Sequence, residues 1–311
     1  MDGEFSIASF YCFSHVIEDV RIKDEIKSFC ISNKMRGSII IAKEGINGTV
    51  AGHPDAIEKF EQLLRSIGFN NLNIKHSSSL TMPFYRMKVK IKSEIISMLG
   101  ESIDPDKERG ELVNYSDWNK LISDKDVLLI DSRNSYESKL GTFKGAVTPN
   151  VDSFKEFKHY IDQELASHKD KTVAMFCTGG VRCEKAAYYM KAQGFSNVVQ
   201  LDGGILRYIE NTPEEDSQWI GDCFVFDGRV TVNHSLSKGD YTLCRGCNAP
   251  LSDEDRRSDK YEEDVSCEYC FDLTTDKKKM ASRERSKQIM LSSLRGESST
   301  FLPGTLGDHI P

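Results

Sequence analysis

Thr172-Val173-Ala174-Met175-Phe176-Cys177-Thr178-Gly179-Gly180-Val181-Arg182-Cys183-Glu184-Lys185 decides the reading of the middle of the chain. Residues 172–176 are a short unbroken apolar run, as expected of a strand buried on both faces of a parallel sheet. Residues 184–192 read as a helix, and Gly179 and Gly180 allow the tight turn between the two. A strand, a glycine-bearing loop and a helix start crowd backbone N–H groups around one point, where the helix dipole adds partial positive charge. Cys177 stands at that point and is expected to be a catalytic nucleophile. Thr178, Gly179, Gly180, Val181 and Arg182 form the loop that holds its thiolate, with Arg182 as a permanent cation lowering its pKa from about 8.5. An inert buried cysteine needs no such wrap. Cys183 reads two ways: as a thiol resolving an oxidised or persulfidated Cys177, or as a side chain turned into helix packing.

Outward from this loop, residues 127–130 and 197–201 are further short apolar runs separated by helical stretches, so residues 115–235 are read as an α/β domain with a parallel sheet. Residues 93–114 are polar and carry Pro105 and Gly110, the composition of a linker. Residues 1–92 hold strand-like runs at 5–16, 37–42, 48–51, 72–76 and 84–91, with helices over 19–33 and from Pro54 to Gly68. This is a β-α-β-β-α-β unit of the ferredoxin-like or acylphosphatase-like kind, a fold that serves many functions. The chain is thus an α/β and α+β multidomain protein, in keeping with its 311 residues.

Beyond residue 235 the apolar runs stop. Cys244-x-x-Cys247 and Cys267-x-x-Cys270, with 19 residues between the pairs, have the spacing of a four-sulfur zinc site. All four positions are thiolates, which leaves no open coordination position, so the zinc would be structural. Residues 236–295 are read as a small Cys-rich, zinc-ribbon-like module with a basic helix bearing Lys277, Lys278, Lys279, Arg283, Arg285 and Lys287. Contact with RNA phosphates and a plain solvated face both explain that helix. Residues 296–311 read as a loose tail. Cys12, Cys30 and Cys223 stand singly in apolar text and read as buried small hydrophobes.

Asp131-Ser132-Arg133, Gly141-Thr142-Phe143-Lys144-Gly145-Ala146, the Cys177 loop and Leu201-Asp202-Gly203-Gly204 resemble a rhodanese domain in order and spacing. Four residues separate Cys177 from Arg182, the short loop of sulfur-carrying rhodaneses; the related phosphatases have one more. The resemblance implies a covalent sulfur intermediate such as a persulfide on Cys177, with Asp131 and Arg133 structural or pocket-lining. Adding Lys43-Glu44-Gly45-Ile46-Asn47-Gly48-Thr49 and Cys223-Phe224-Val225-Phe226-Asp227, nearly the whole chain resembles the rhodanese-domain tRNA wobble-uridine hydroxylases. That implies an oxidoreductase using molecular oxygen as cosubstrate, tRNA as partner, and 5-hydroxyuridine as product at position 34. Two rivals stay open: a rhodanese-type sulfurtransferase, and a noncatalytic RNA-binding protein on a rhodanese scaffold.

No Gly-x-Gly-x-x-Gly turn for a flavin or NAD follows a strand, and no haem motif is evident. His53-Pro54-Asp55 has the form of an iron ligand pair but stands at a helix start, where Pro and Asp are ordinary. The net charge of −7 excludes a protein coated in positive charge, so RNA contact must rest on local patches. No apolar run is long enough for a membrane span, and Met1-Asp2-Gly3-Glu4 lacks a signal peptide's basic start, so a cytoplasmic location is expected. Oligomeric state is not legible.

Overall fold

A computed structural model describes residues 4–295; the expected tail at 296–311 lies outside the described residues. The N-terminal unit runs β1 (Phe5–Phe13), α1 (Asp19–Ser32), β2 (Arg36–Ala42), β3 (Gly45–Gly52), α2 (Pro54–Ser66), β4 (Asn73–Ser79) and β5 (Met87–Ile91). The sheet order is β4-β1-β3-β2-β5, antiparallel except for the β2–β5 edge. Alternation along the strands sends Ala8, Phe10, Ile39 and Ile41 to one face, where Ile22, Ile26, Phe60 and Leu64 of the two helices close a single core.

The second unit runs β6 (Glu111–Val113), α3 (Tyr115–Ile122), β7 (Val127–Asp131), α4 (Ser135–Ser138), β8 (Gly141–Phe143), α5 (Phe154–Gln163), β9 (Thr172–Phe176), α6 (Val181–Ala192), β10 (Asn197–Leu201) and α7 (Gly204–Asn211). β6, β10, β9 and β7 make a parallel sheet in that order, covered on both faces by apolar clusters. β11 (Trp219–Gly221) pairs with β8, and β12 (Cys223–Phe224) with β13 (Thr231–Val232). The C-terminal module holds β14 (Thr242–Leu243) against β15 (Pro250–Leu251), then α8 (Asp276–Leu294).

Of residues 93–114, read from composition as a polar linker, 93–110 contain no helix or strand but are not loose, and 111–113 are β6, an edge strand of the second sheet. Glu94, Ile95, Met98 and Ile103 are buried. Ile95 and Ile103 pack with Tyr11, Phe13 and Ala42 of the first unit and with Val181 and Tyr188 of α6, forming an apolar seam between the two domains. α6 also begins three residues earlier than the helical spacing suggests, so Arg182 and Cys183 belong to its first turn.

Candidate active site

Cys177 follows the last residue of β9, and Gly180 is the N-cap of α6 at φ +101. The Gly180 amide donates to Cys177 Sγ at 3.1 Å. A Cβ at Gly180 would lie 2.9 Å from the Tyr11 hydroxyl, so both the backbone conformation and the approach of the first domain require glycine. Gly204, at φ +68, sits under the loop, where a Cβ would meet the Cys177 carbonyl at 2.5 Å. That close approach lets the first amides of α7 serve the loop: Ile205 donates to the Cys177 carbonyl and Leu206 to that of Thr178.

The cradle separates two thiols. Burial works against ionising Cys177, but the Cys183 thiol, the Arg182 charge and the Cys183 and Gly180 amides outweigh it, holding its pKa well below the ordinary value. Cys183 goes the opposite way, raised by burial and by the Cys177 charge, so it keeps its proton. Its sulfur lies 3.3 Å from the Ser132 hydroxyl, and both cysteines are free and buried. Cys183 packs in the sheet core with Cys177 in the same apolar cluster, its sulfur against the Ser132 hydroxyl.

The other loop residues divide their work. Thr178 donates to the Phe224 carbonyl at 3.4 Å, and Val181 packs at the domain seam. Arg182 is committed to a partner the sequence reading lacks: both guanidinium nitrogens grip Glu137, at 2.6 and 2.7 Å. Glu137 closes the capping box of α4 on Asn134, a pattern legible in the chain but silent about Arg182. Arg182 therefore acts on the thiolate as half of a buried ion pair. Asp131 and Arg133 form another, with side chains fully buried, and Arg133 also donates to the Gly141 carbonyl. They brace the sheet end and the β8 turn.

The first domain supplies Lys75, which no motif announced. From β4 its ammonium donates to the Gly179 carbonyl and lies 4.9 Å from the Tyr11 ring centre. Burial and then the Arg207 charge push its pKa down to about 7, against the pull of Cys177, Asp202 and Glu184. Nearby, Arg229 pairs with Asp227 and donates to Ser77 of β4 at 2.9 Å.

A second inter-domain joint is ionic. Lys185 of α6 lies 2.7 Å from Glu44 and 2.6 Å from Glu94, all three side chains at most 1% exposed. Glu44 accepts from the Ile95 and Ile103 amides, and Glu94 from those of Met98, Leu99 and Gly100. The two stretches 43–49 and 177–185, distant in sequence, meet through this triad.

In the C-terminal module Cys244, Cys247, Cys267 and Cys270 converge, with Sγ separations of 3.8 Å (Cys244–Cys270), 3.7 Å (Cys247–Cys267) and 3.9 Å (Cys267–Cys270). Sulfurs about 2.3 Å from a tetrahedral ion stand about 3.8 Å apart, so the cluster fits a metal such as zinc. His53 and Asp55 are exposed at the α2 start, and neither joins a metal-competent cluster among the described residues. The basic helix is partly spent: Lys279 is buried with its ammonium 3.5 Å from the Phe271 ring centre, and Arg283 is paired with Glu262. No described helix is long and apolar enough to cross a membrane.

Residues 5–95 match the family model of the UPF0176 acylphosphatase like domain, and residues 115–211 that of the Rhodanese-like domain. A tRNA uridine(34) hydroxylase of Teredinibacter turnerae is 46% identical over 95% of this chain and 92% of its own length. One of Brucella anthropi is 45% identical over 94% of this chain and 96% of its own. Identity of this level, running through both domains and the cysteine module, shows that the chain belongs to the tRNA uridine(34) hydroxylase family.

Proposed function

We propose that this protein hydroxylates C5 of the wobble uridine of tRNA, giving 5-hydroxyuridine, with Cys177 as the essential nucleophile. The observation that carries the reading is the Cys177 cradle, which favours a thiolate, in a chain so closely related to tRNA uridine(34) hydroxylases. C6 of uracil is the electrophilic end of a conjugated carbonyl system. A thiolate adding there turns C5 into an enolate carbon, the atom that must gain oxygen. Amides aimed at the sulfur hold it anionic before it attacks, and a buried site keeps bulk water away.

Dioxygen is the oxidant in this reading. The balance is C5–H plus dioxygen, two electrons and two protons, giving C5–OH and water. A thiolate and a thiol supply both electrons and one proton on becoming a disulfide, solvent supplying the second proton, and in this reading Cys183, which keeps its proton, is the second sulfur. Lys75 positions the loop through the Gly179 carbonyl. A structural zinc in the four-cysteine cluster orders the C-terminal module, and the place of action is the cytoplasm, where the tRNA is.

The test is mass spectrometry of tRNA nucleosides from cells with no other route to 5-hydroxyuridine, lacking this protein and complemented with wild type or Cys177→Ser. The nucleoside and its derivatives should vanish and return with wild type alone. Their persistence without the protein, or full rescue by Cys177→Ser, would refute the reading. Loss of a thiolated nucleoside instead would mean sulfur transfer.

A further inference from the structure

Cys177 is 1% exposed and does not line the large cleft of the molecule. That cleft, of about 1580 Å³, runs between the β5 side of the first domain, the segment 224–230 and the C-terminal module. It exceeds the roughly 300–1,000 Å³ of a small-molecule pocket. Six Lys and Arg residues line it against four Asp and Glu, in a chain of net charge −7. Three of those acids are already paired, Asp227 with Arg229, Asp264 with Arg245 and Glu262 with Arg283, and of the cations Arg245 and Arg256 are paired, which leaves Arg86, Lys88, Lys238 and Arg285 against Glu263. Arg86 and Lys88 stand together on one wall, crowded enough by each other and by Lys90 that Lys88 gives up its proton more readily than an ordinary lysine, burial being the larger cause.

Large aromatic side chains stand exposed around the same space: Tyr85 on the first domain at 54%, Phe226 at 58% and Tyr269 of the module at 55%. Exposed rings interleaved with cations are what single-stranded nucleic acid requires, since bases stack on the rings while phosphates meet the charges. Phe226 also joins the cleft to the catalytic loop. The Arg182 guanidinium lies 5.8 Å from its ring centre, and its neighbour Phe224 gives its carbonyl to Thr178.

We infer that this cleft seats the unpaired nucleotides of the tRNA anticodon loop, and that Phe226 is the stacking step past which the target base is extruded toward Cys177. The inference rests on the tRNA reading above and adds to it the surface and the route. Base extrusion is needed because the sulfur is not in the cleft, and enzymes acting on a base commonly take it out of its stack. Arg86 and Lys88 meet phosphates on the β5 wall. Lysines on an edge strand also discourage edge-to-edge sheet pairing, so the two explanations must be separated by measurement.

The test uses the full chain with a fluorescent anticodon stem-loop RNA, titrated over a range of salt concentrations, alongside hydroxylation of whole tRNA. Phe226→Ala and Tyr85→Ala should each weaken binding roughly 5- to 100-fold, and Phe226→Tyr should restore it. Both rings are exposed, so thermal melts should match wild type. Arg86→Ala and Lys88→Ala should each flatten the dependence of log affinity on log salt by about 0.7. Wild-type affinity and salt slope in all four Ala variants, while wild type still hydroxylates tRNA, would overturn the cleft and leave the activity standing. Competition by polyglutamate as effective as by RNA, with the aromatic variants unaffected, would overturn it in favour of an acidic protein partner. Absence of hydroxylation with ring-dependent binding intact would sink the activity and keep the cleft.

Discussion

Replacing Lys185 by Met removes one charge and strands two. Glu44 and Glu94 would remain buried in the domain seam, still accepting backbone amides but without their shared cation. Breaking a buried ion pair by deleting one partner costs roughly 3–5 kcal/mol, because the other charge is left uncompensated. At about 2–4 °C per kcal/mol for a chain of this size, Lys185→Met should melt roughly 6–20 °C below wild type. The pH dependence supplies a sharper signature. In wild type the Glu94 carboxyl is held below the ordinary range: burial opposes ionisation, and the Lys185 ammonium with the Leu99 and Met98 amides outweighs it. A folded-state value below the unfolded one means stabilisation that is complete above the unfolded carboxylate range, near pH ~4.3, and lost as pH falls through the folded value. Without Lys185 the stranded Glu94 carboxylate favours protonation, so the variant should recover stability as pH falls where wild type declines. Adding Glu44→Gln and Glu94→Gln removes the stranded charges and should restore much of the loss. Circular-dichroism melts from pH 4 to pH 8 decide it; a Lys185→Met melt within about 2 °C of wild type at pH 7 would refute the triad as the clamp between the domains.

Three further outcomes are expected. The alkylation rate of Cys177, followed by peptide mass spectrometry, should reach half its plateau well below the free-thiol pH of about 8.5, while Cys183 stays unmodified through neutral pH; a Cys177 midpoint at 8.5 would contradict the cradle. Lys75→Met should lower hydroxylation at least about tenfold without lowering the melting temperature at pH 7, since the buried wild-type lysine, its pKa pushed down to about 7, carries its full folding cost at and below about pH 7, a cost that fades only as pH rises from about 7 to 10; equal activity would remove Lys75 from the site. Chelation should release zinc in a one-to-one ratio to protein and abolish amide-exchange protection over residues 242–273, because in small modules metal binding of about 10–16 kcal/mol is folding energy; freshly purified protein without zinc would end the claim.

Legibility in the sequence followed chemistry more than importance. The parallel strands were readable because their residues are apolar on both faces, and Thr172–Phe176 and Asn197–Leu201 have the bounds their composition suggests. The cysteine pairs were readable because few other roles use that spacing. The stretch at 93–110 misled because its buried anchor, Glu94, is a carboxylate, which composition assigns to the surface; only the turn amides and Lys185 make its burial affordable. Lys75 hid for the same reason, a charged residue on a polar strand whose partner is a backbone carbonyl in another domain. The basic helix was open to two readings, and a count of lysines and arginines cannot show that Lys279 lies on Phe271 or that Arg283 is held by Glu262.

Both domains meet at Cys177, and that bears on what the thiolate can do. A strand, a glycine loop and a helix start make an anion cradle in any domain that has them, and alone they serve sulfur carriage equally well. Here Tyr11 and Lys75 of the first domain lie against Gly180 and Gly179, and the Lys185 triad locks that contact from the far side of α6. A sulfur carrier must expose its loaded sulfur to an acceptor, whereas this sulfur is 1% exposed and covered from two domains. On the route inferred above, a base reaches the sulfur past the segment around Phe224 and Phe226 on the cleft side, where the Thr178 contact to the Phe224 carbonyl is long at 3.4 Å. Coupling entry of a base to displacement of one short segment leaves the cradle assembled while the sulfur is uncovered, which suits a reaction in which the thiolate adds to a nucleoside already held in place.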